Sequence, residues 1–373
     1  MLALCPIQGS RSSSFFLGGS LSSSTTAYTM ALKLVNLFLS VYASTLLLDG
    51  SLYGVYSAPG GSQRSTHSVP RTMLRPRQGS GDNDGIHLAV SPQCGPLDGK
   101  TTNVNAGIVP SSIKTIVSFG DSYTDGGIDN GSALLPPVLI PPNDEAGGRS
   151  TNGPVWIEGV SGDWVAHLMD YAQWGACTNL SLWPSNPRKV DFIDQMATFL
   201  GQSNQLDSDS TLYSIFFGIN DYIASLIDGD HMPEAAQTIL NEIQTLSSPP
   251  TNGKSFLVVD VYGRGNTSAW GEAYKQQVFD GLKAFHEGSS KLNVAYVDMA
   301  AIWDGVLGPN PGYQAFGYTS TAACTVCTED CNQYGWCMDP SEHYFYWIDG
   351  HPSKETHRIM ADWVEEVLQN CVV

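Results

Sequence analysis

Five β-forming runs that alternate with stretches of helical period constrain this chain more than anything else in it. The runs are Ile113 to Val117, Asp170 to Gly175, Leu212 to Gly218, Ser255 to Val261 and Val294 to Asp298. Leu212-Tyr-Ser-Ile-Phe-Phe-Gly218 and Ser255-Phe-Leu-Val-Val-Asp-Val261 carry no polar face, as strands covered on both sides require. Helical patterns fill the intervals. Pro154 to Asp170 spaces Trp156, Val160, Trp164 and Leu168 by four, and Arg188 to Leu200 turns Val190, Ile193 and Phe199 inward. Pro233 to Leu246, Ser268 to His286 and Ser353 to Gln369 keep the same period. The alternation predicts an α/β fold, a three-layer α/β/α sandwich around a five-stranded parallel sheet, in one domain spanning residues 91–373.

The N-terminal part reads differently. Met30 to Leu48 has the build of a secretion signal: Lys33 near the start, an apolar run, then small residues with cleavage expected near Ala43 or Ala58. The run is short and rich in Ser, Thr and Asn for a spanning helix, and a signal anchor is the alternative. The Ser-rich residues 1–29 do not resemble a signal peptide, which points to Met30 as the true start. Residues 1–58 are therefore assigned to targeting and 59–90, poor in apolar residues, to a disordered leader.

Charge narrows the partners. With 18 Lys+Arg against 36 Asp+Glu the formal charge is −18. That argues against nucleic acid, which needs clustered cations, and against anionic membranes and polyanionic substrates. No stable membrane insertion is expected of the domain. Sequons at Asn130, Asn179 and Asn266 agree with a glycosylated, secreted protein. Of eight cysteines, Cys5 lies in the segment expected to be lost; Cys94, Cys177, Cys324, Cys327, Cys331, Cys337 and Cys371 remain. The crowded Cys324, Cys327, Cys331 and Cys337 would suit zinc in the cytosol, but behind a secretion signal they read as two local disulfides. The pairing stays open. Seven is odd, so one thiol is free or pairs outside the chain.

Four places carry residues that acyl transfer needs: a nucleophile, a base and donors for the developing oxyanion. The run ending at Val117 leads into Ser118-Phe-Gly-Asp-Ser-Tyr-Thr-Asp125, where Ser122 is the nucleophile candidate and Asp121 reads as a turn or cap. Gly175, in Ala172-Gln-Trp-Gly-Ala176, suits a backbone N–H brought close to a substrate, or simply a tight turn. Asn220, in Gly218-Ile-Asn-Asp221, offers an amide donor, or an Asx-turn or helix cap. His351, in Asp349-Gly-His-Pro-Ser353, suits a general base, or a surface or capping residue.

Taken in this order, the set resembles the GDSL, or SGNH, hydrolase family over residues of about 113 to 371. The four letters of SGNH map onto Ser122, Gly175, Asn220 and His351. Phe119-Gly-Asp-Ser-Tyr-Thr-Asp125, Gly148-Arg-Ser-Thr-Asn-Gly-Pro154 and the tail from Cys337 to Pro352 look most like fungal extracellular members grouped with the acetylesterases of carbohydrate esterase family sixteen. The resemblance implies a flavodoxin-like sheet and hydrolysis of ester bonds, typically acetyl groups on sugars, without metal or cofactor. It implies an oxyanion hole of the Ser122 N–H, the Gly175 N–H and the Asn220 amide. A small ester or acetylated carbohydrate is the expected partner, and a monomer the expected state.

Two positions depart from the family pattern. The orienting Asp usually stands three residues before the His, where this chain has Ile348; Asp349 is one residue closer. Either Asp349 completes a triad, a backbone carbonyl holds the base in a dyad, or another acid such as Glu342 serves. Trp174 stands where a glycine is common. Arg149 and Trp156 read as structural and core. Two other functions stay open: a non-catalytic carbohydrate-binding protein on this scaffold, motivated by Ile348, and a lipase on long acyl chains, with the Pro/Gly-rich loop 131–148 as its only candidate lid.

Overall fold

The computed structural model describes residues 83–137, 146–325 and 343–373. The proposed signal, Cys5, Cys327, Cys331, Cys337, Glu342 and residues 138–145 of the loop after Ser122 lie outside the described residues.

The central sheet has six strands: β1 (Val104–Ala106), β2 (Thr115–Gly120), β3 (His167–Asp170), β4 (Thr211–Phe216), β5 (Ser255–Asp260) and β6 (Asn293–Asp298), in the spatial order β1-β6-β5-β4-β2-β3. The five strands from β2 to β6 are parallel, as the sequence predicts. A short antiparallel strand, β1, is added on the β6 edge. Numbered among themselves, the parallel strands run 2-1-3-4-5, the flavodoxin-like order. In that order the chain leaves the first strand to one side and returns on the other, so a crevice opens between the carboxyl ends of β2 and β4.

Side chains along each strand alternate between two cores. Leu212 and Phe216 of β4, Leu257 and Val259 of β5, and Ala295 and Val297 of β6 face one layer. That layer is built on α1 (Trp156–Trp164), α6 (Ala300–Leu307) and α7 (Lys354–Asn370). Tyr213, Ile215, Phe256, Val258, Val294 and Tyr296 face the other, where α2 (Phe192–Gly201), α3 (Ile219–Asp228), α4 (Met232–Ser247) and α5 (Ala269–Glu287) pack. Arg149 and Trp156 are fully buried, with Arg149 paired to Glu158 at 2.7 Å.

Several boundaries move from their predicted places. The first helix stops at Trp164, not Asp170, and the second strand is His167–Asp170 rather than Asp170 to Gly175. The stop is made by Val165, which adopts a left-handed φ of 54° while 87% exposed, and Ala166 N–H bonds back to the Ser161 carbonyl. A β-branched residue in that conformation gives no sequence signal, because glycine normally takes the position. Leu168 therefore continues the four-residue spacing but sits in a strand. The second helix starts at Phe192, behind an Asp191 cap whose side chain accepts the Asp194 N–H, leaving Arg188 to Val190 in a loop. Helices α3 and α6 have no counterpart in the sequence reading. Residues 86–90, assigned above to the leader, lie on the domain: Ile86 is buried, and Leu88, Ala89 and Val90 pack against the core.

Near the C-terminus, β7 (Ser320–Ala323), β8 (Tyr344–Ile348) and β9 (His351–Pro352) form a small second sheet. Cys94 is joined to Cys371, Cys324 is also disulfide-bonded, and Cys177 is a buried free thiol.

Candidate active site

The serine turn is assembled by Asp121. Its main-chain carbonyl accepts the N–H groups of Thr124 and Asp125 at 3.0 and 2.9 Å, and its side chain accepts Tyr123 N–H at 3.0 Å. Gly120 precedes it because a Cβ there would press on Thr124 and on the Phe216 carbonyl. The Gly120 peptide groups are held by a side chain: Gln195 Nε2 donates to its carbonyl at 2.8 Å, and its N–H donates to Gln195 Oε1 at 3.0 Å. The result sets Ser122, 7% exposed, just past the carboxyl end of β2.

His351 arrives from the far end of the chain. Ile348 and His351 pair across β8 and β9, so Asp349 and Gly350 form a two-residue hairpin loop, with Gly350 at φ 67°. The Gly350 carbonyl accepts from Tyr123 Oη at 2.6 Å and from Arg264 Nη1 at 2.9 Å. Tyr123, the neighbour of the serine, thus grips the histidine loop. Ser122 Oγ lies 2.9 Å from His351 Nε2. The other ring nitrogen, Nδ1, lies 3.0 Å from the main-chain carbonyl of Asp349. A carbonyl only accepts, so Nδ1 carries the proton and Nε2 presents its lone pair to the serine hydroxyl.

Among the described residues, the group on His351 Nδ1 is a backbone carbonyl. The contact from Asp349 is its backbone oxygen, while its side chain sits in an exposed turn. Ile348, at the family's acid position, is buried against Cys324, Trp347 and Tyr344. Glu342 lies outside the described residues. Burial lowers the His351 pKa to about 4; the Asp349 carbonyl bond pulls it up, Arg264 pushes it down and the Asp349 charge raises it. The imidazole is neutral at physiological pH.

Asn220 lies in the first turn of α3, just past the end of β4. Its Nδ2 donates to the Ala176 carbonyl at 2.9 Å and faces Asp121 Oδ2 at 3.4 Å, so it bridges the neighbours of Gly175 and of Ser122. Asp221 ties the same loop to α3 by accepting from Thr178 N–H and Trp183 Nε1 at 2.9 and 2.6 Å. Gly175 is the third residue of a turn closed by Ala176 N–H on the Gln173 carbonyl at 3.0 Å, with φ 77°. That is the type II position that favours glycine. A Cβ there would also strike the Arg188 side chain, whose guanidinium stacks 3.6 Å over the Trp174 ring. Among the described residues, neither the Ser122 N–H nor the Gly175 N–H has a hydrogen-bond acceptor.

Ser122, Gly175, Asn220 and His351 therefore converge on the crevice at the switch point of the sheet. Residues 116–364 match the family described as GDSL-like lipase/acylhydrolase. The chain belongs to that family. One relative, an acetylesterase from Thermothelomyces thermophilus, is 29% identical over 123 residues, which is 30% of this chain and 40% of the relative's own length. A member of the lipolytic G-D-S-L family from Veillonella parvula aligns over 69% of this chain and 99% of its own, at 15% identity and a TM-score of 0.37. An α/β hydrolase from the Lake Arreo metagenome aligns over 70% and 99%, at 15% identity and a TM-score of 0.38.

In this GDSL-family chain, further residues hold the site that sequence reasoning did not single out. Gln195 is a polar residue on the apolar face of α2, between Phe192 and Phe199, and that mismatch was a visible signal. Arg264 and Asn186 sit in loops and gave none. Of the sequons, Asn130 and Asn266 are exposed; Asn179 is half-buried, its side-chain oxygen accepting from Ser181 N–H and Oγ at 2.9 and 2.7 Å.

Proposed function

We propose that this protein is a serine esterase working through a Ser122–His351 dyad on short acyl esters, with acetyl groups on carbohydrate as the substrate class. The observation that carries this is the 2.9 Å contact between Ser122 Oγ and a His351 Nε2 freed to act as acceptor by the carbonyl on Nδ1. Ser122 Oγ attacks the acyl carbon, the carbonyl π pair moves onto oxygen, and His351 Nε2 takes the hydroxyl proton. The tetrahedral oxyanion lies against the Ser122 and Gly175 N–H groups, and the Asn220 N–H that faces Asp121 at 3.4 Å turns to it. Collapse breaks the bond to the leaving alkoxide, which receives the proton from His351. Water, deprotonated by the same nitrogen, then releases the acid and restores Ser122.

The acetylesterase relative, which the chain matches over less than half that relative's length, supports the acyl-group assignment. The aligned dyad weighs against a non-catalytic binding protein. The Cys94–Cys371 disulfide and the exposed Asn130 and Asn266 support secretion, since disulfides persist in oxidising compartments. Ser122→Ala is expected to abolish hydrolysis of p-nitrophenyl acetate while circular dichroism stays native. Retained activity in that variant refutes the assignment. Comparing kcat/KM on acetate and long-chain esters separates acetylesterase from lipase.

A further inference from the structure

We propose that Asp125 is a positioning residue that locks the Gly175 turn onto the serine turn and so aims the Gly175 N–H at the oxyanion. This rests on the proposed roles of Ser122 and Gly175. Asp125 belongs to the serine turn through its own N–H, which donates to the Asp121 carbonyl at 2.9 Å. Its carboxylate reaches 49 residues along the chain: Oδ2 accepts the Trp174 N–H at 2.7 Å, while Oδ1 accepts the Gly127 N–H at 2.7 Å. Trp174 and Gly175 are the two central residues of the turn that Ala176 closes. Pinning the Trp174 N–H fixes the Gln173–Trp174 peptide, and with the turn closed by Ala176 this restricts the tilt of the next peptide, which carries the Gly175 N–H.

The far side of the turn is held independently. Asn186 Nδ2 donates to the Gly175 carbonyl at 3.0 Å, and Arg188 stacks on Trp174. These contacts keep the turn folded, but neither links it to Ser122. Asp125 does, beside the Asn220 bridge from Ala176 to Asp121 and the Gln173 N–H on the Gly120 carbonyl at 3.1 Å; of these links it alone holds the N–H of a central residue of the turn. An ionised carboxylate accepts both N–H groups strongly; protonation makes one oxygen an O–H donor and weakens its hold on the N–H it accepted. The charged groups around Asp125 are Asp121 in the same turn, Asp170 at the end of β3, Asp129 in the following loop and Arg149, which is paired with Glu158. Burial raises the Asp125 pKa to about 6, with Asp129 adding to the rise and Arg149 opposing it. The turn is thus fully held from about a unit above pH 6 and progressively loosened through pH 6 and below.

Asp125→Asn keeps the shape and removes the charge and one acceptor; Asp125→Ala removes both acceptors. With the full chain and p-nitrophenyl acetate, the Asn variant is expected to lose about 10- to 100-fold in kcat, the cost of a misaimed donor, with KM within about threefold. Its affinity for a trifluoromethyl ketone that forms a tetrahedral adduct on Ser122 falls by a similar factor. The ratio of wild-type to variant kcat is largest above about pH 7 and shrinks below about pH 6, where the wild-type group is itself protonated. A purely structural role would change that ratio little with pH and would not single out the tetrahedral adduct. If Asp125→Ala loses its fold, Asp125→Asn carries the test. Unchanged kcat and adduct affinity in a folded Asn variant, or a ratio flat across pH 5–8, overturns the proposal even where Ser122→Ala is dead. An active Ser122→Ala would instead overturn the catalytic assignment beneath it.

Discussion

Replacing Asp349 by Ala is expected to lower kcat/KM by no more than about tenfold. In a serine-protease triad, neutralising the acid bonded to the histidine costs about 10⁴-fold, or roughly 5 kcal/mol at 1.36 kcal/mol per decade. Here the group on His351 Nδ1 is the Asp349 backbone oxygen at 3.0 Å, and alanine has the same oxygen. The hairpin keeps its place because the Gly350 carbonyl is held by Tyr123 and Arg264, neither of which touches the Asp349 side chain. What the variant loses is the through-space attraction of an exposed carboxylate for the imidazolium, which exposed charge pairs hold to about 1 kcal/mol or less. The measurement is kcat/KM for p-nitrophenyl acetate at pH 7.5 in wild type, Asp349→Ala and Asp349→Asn, with His351→Ala as the floor. The difference should shrink further in about 0.5 M salt, where exposed charges are screened. A loss of about 10³ or more in folded Asp349→Ala and Asp349→Asn would show that the carboxylate reaches Nδ1 during turnover, and would refute the dyad.

Two predictions concern stability. Asp260 is buried, its Oδ2 has no hydrogen-bond partner among the described residues, and burial raises its pKa to about 8, with Lys275 opposing. A folded-state value above the unfolded one means stability that is present below about pH 4 and lost as pH rises toward 8. At pH 7 that loss amounts to about 4 kcal/mol, so Asp260→Asn should gain stability over wild type between pH 5 and pH 8 in urea melts; a pH-independent difference would sink this. Breaking the Cys94–Cys371 link, which closes a separation of 277 residues, should cost about 2–5 kcal/mol. Cys94→Ser melting within a degree of wild type would contradict it.

Local pattern carried much of this protein. Apolar runs without a polar face announce strands buried on both sides, and they did so for β2, β4, β5 and β6. Helical period announced α4, α5 and α7 to within a residue or two, since an amphipathic face repeats along the helix itself. Where termination depended on one unusual backbone angle, at Val165, the pattern ran on and hid β3. Ser122, Gly175, Asn220 and His351 could be named as candidates because each stands in a short motif at the end of a run.

The contacts that make those residues a site were not legible, because each spans a long stretch of chain. Ser122 and His351 are 229 residues apart, Gln195 and Gly120 75, and Arg264 and Gly350 86. The partner of His351 Nδ1 is the plainest case. Counting residues from the histidine asks which side chain is an acid and finds Ile348 in its place. The two-residue hairpin turns the Asp349 side chain to solvent and its carbonyl to the ring, and a backbone oxygen has no letter in the sequence. Residue types and their order along the chain determined the layers and the candidate groups. The order of the strands, the tautomer of His351 and the placement of the Gly175 turn were decided only when tertiary packing brought distant peptide groups within hydrogen-bond reach.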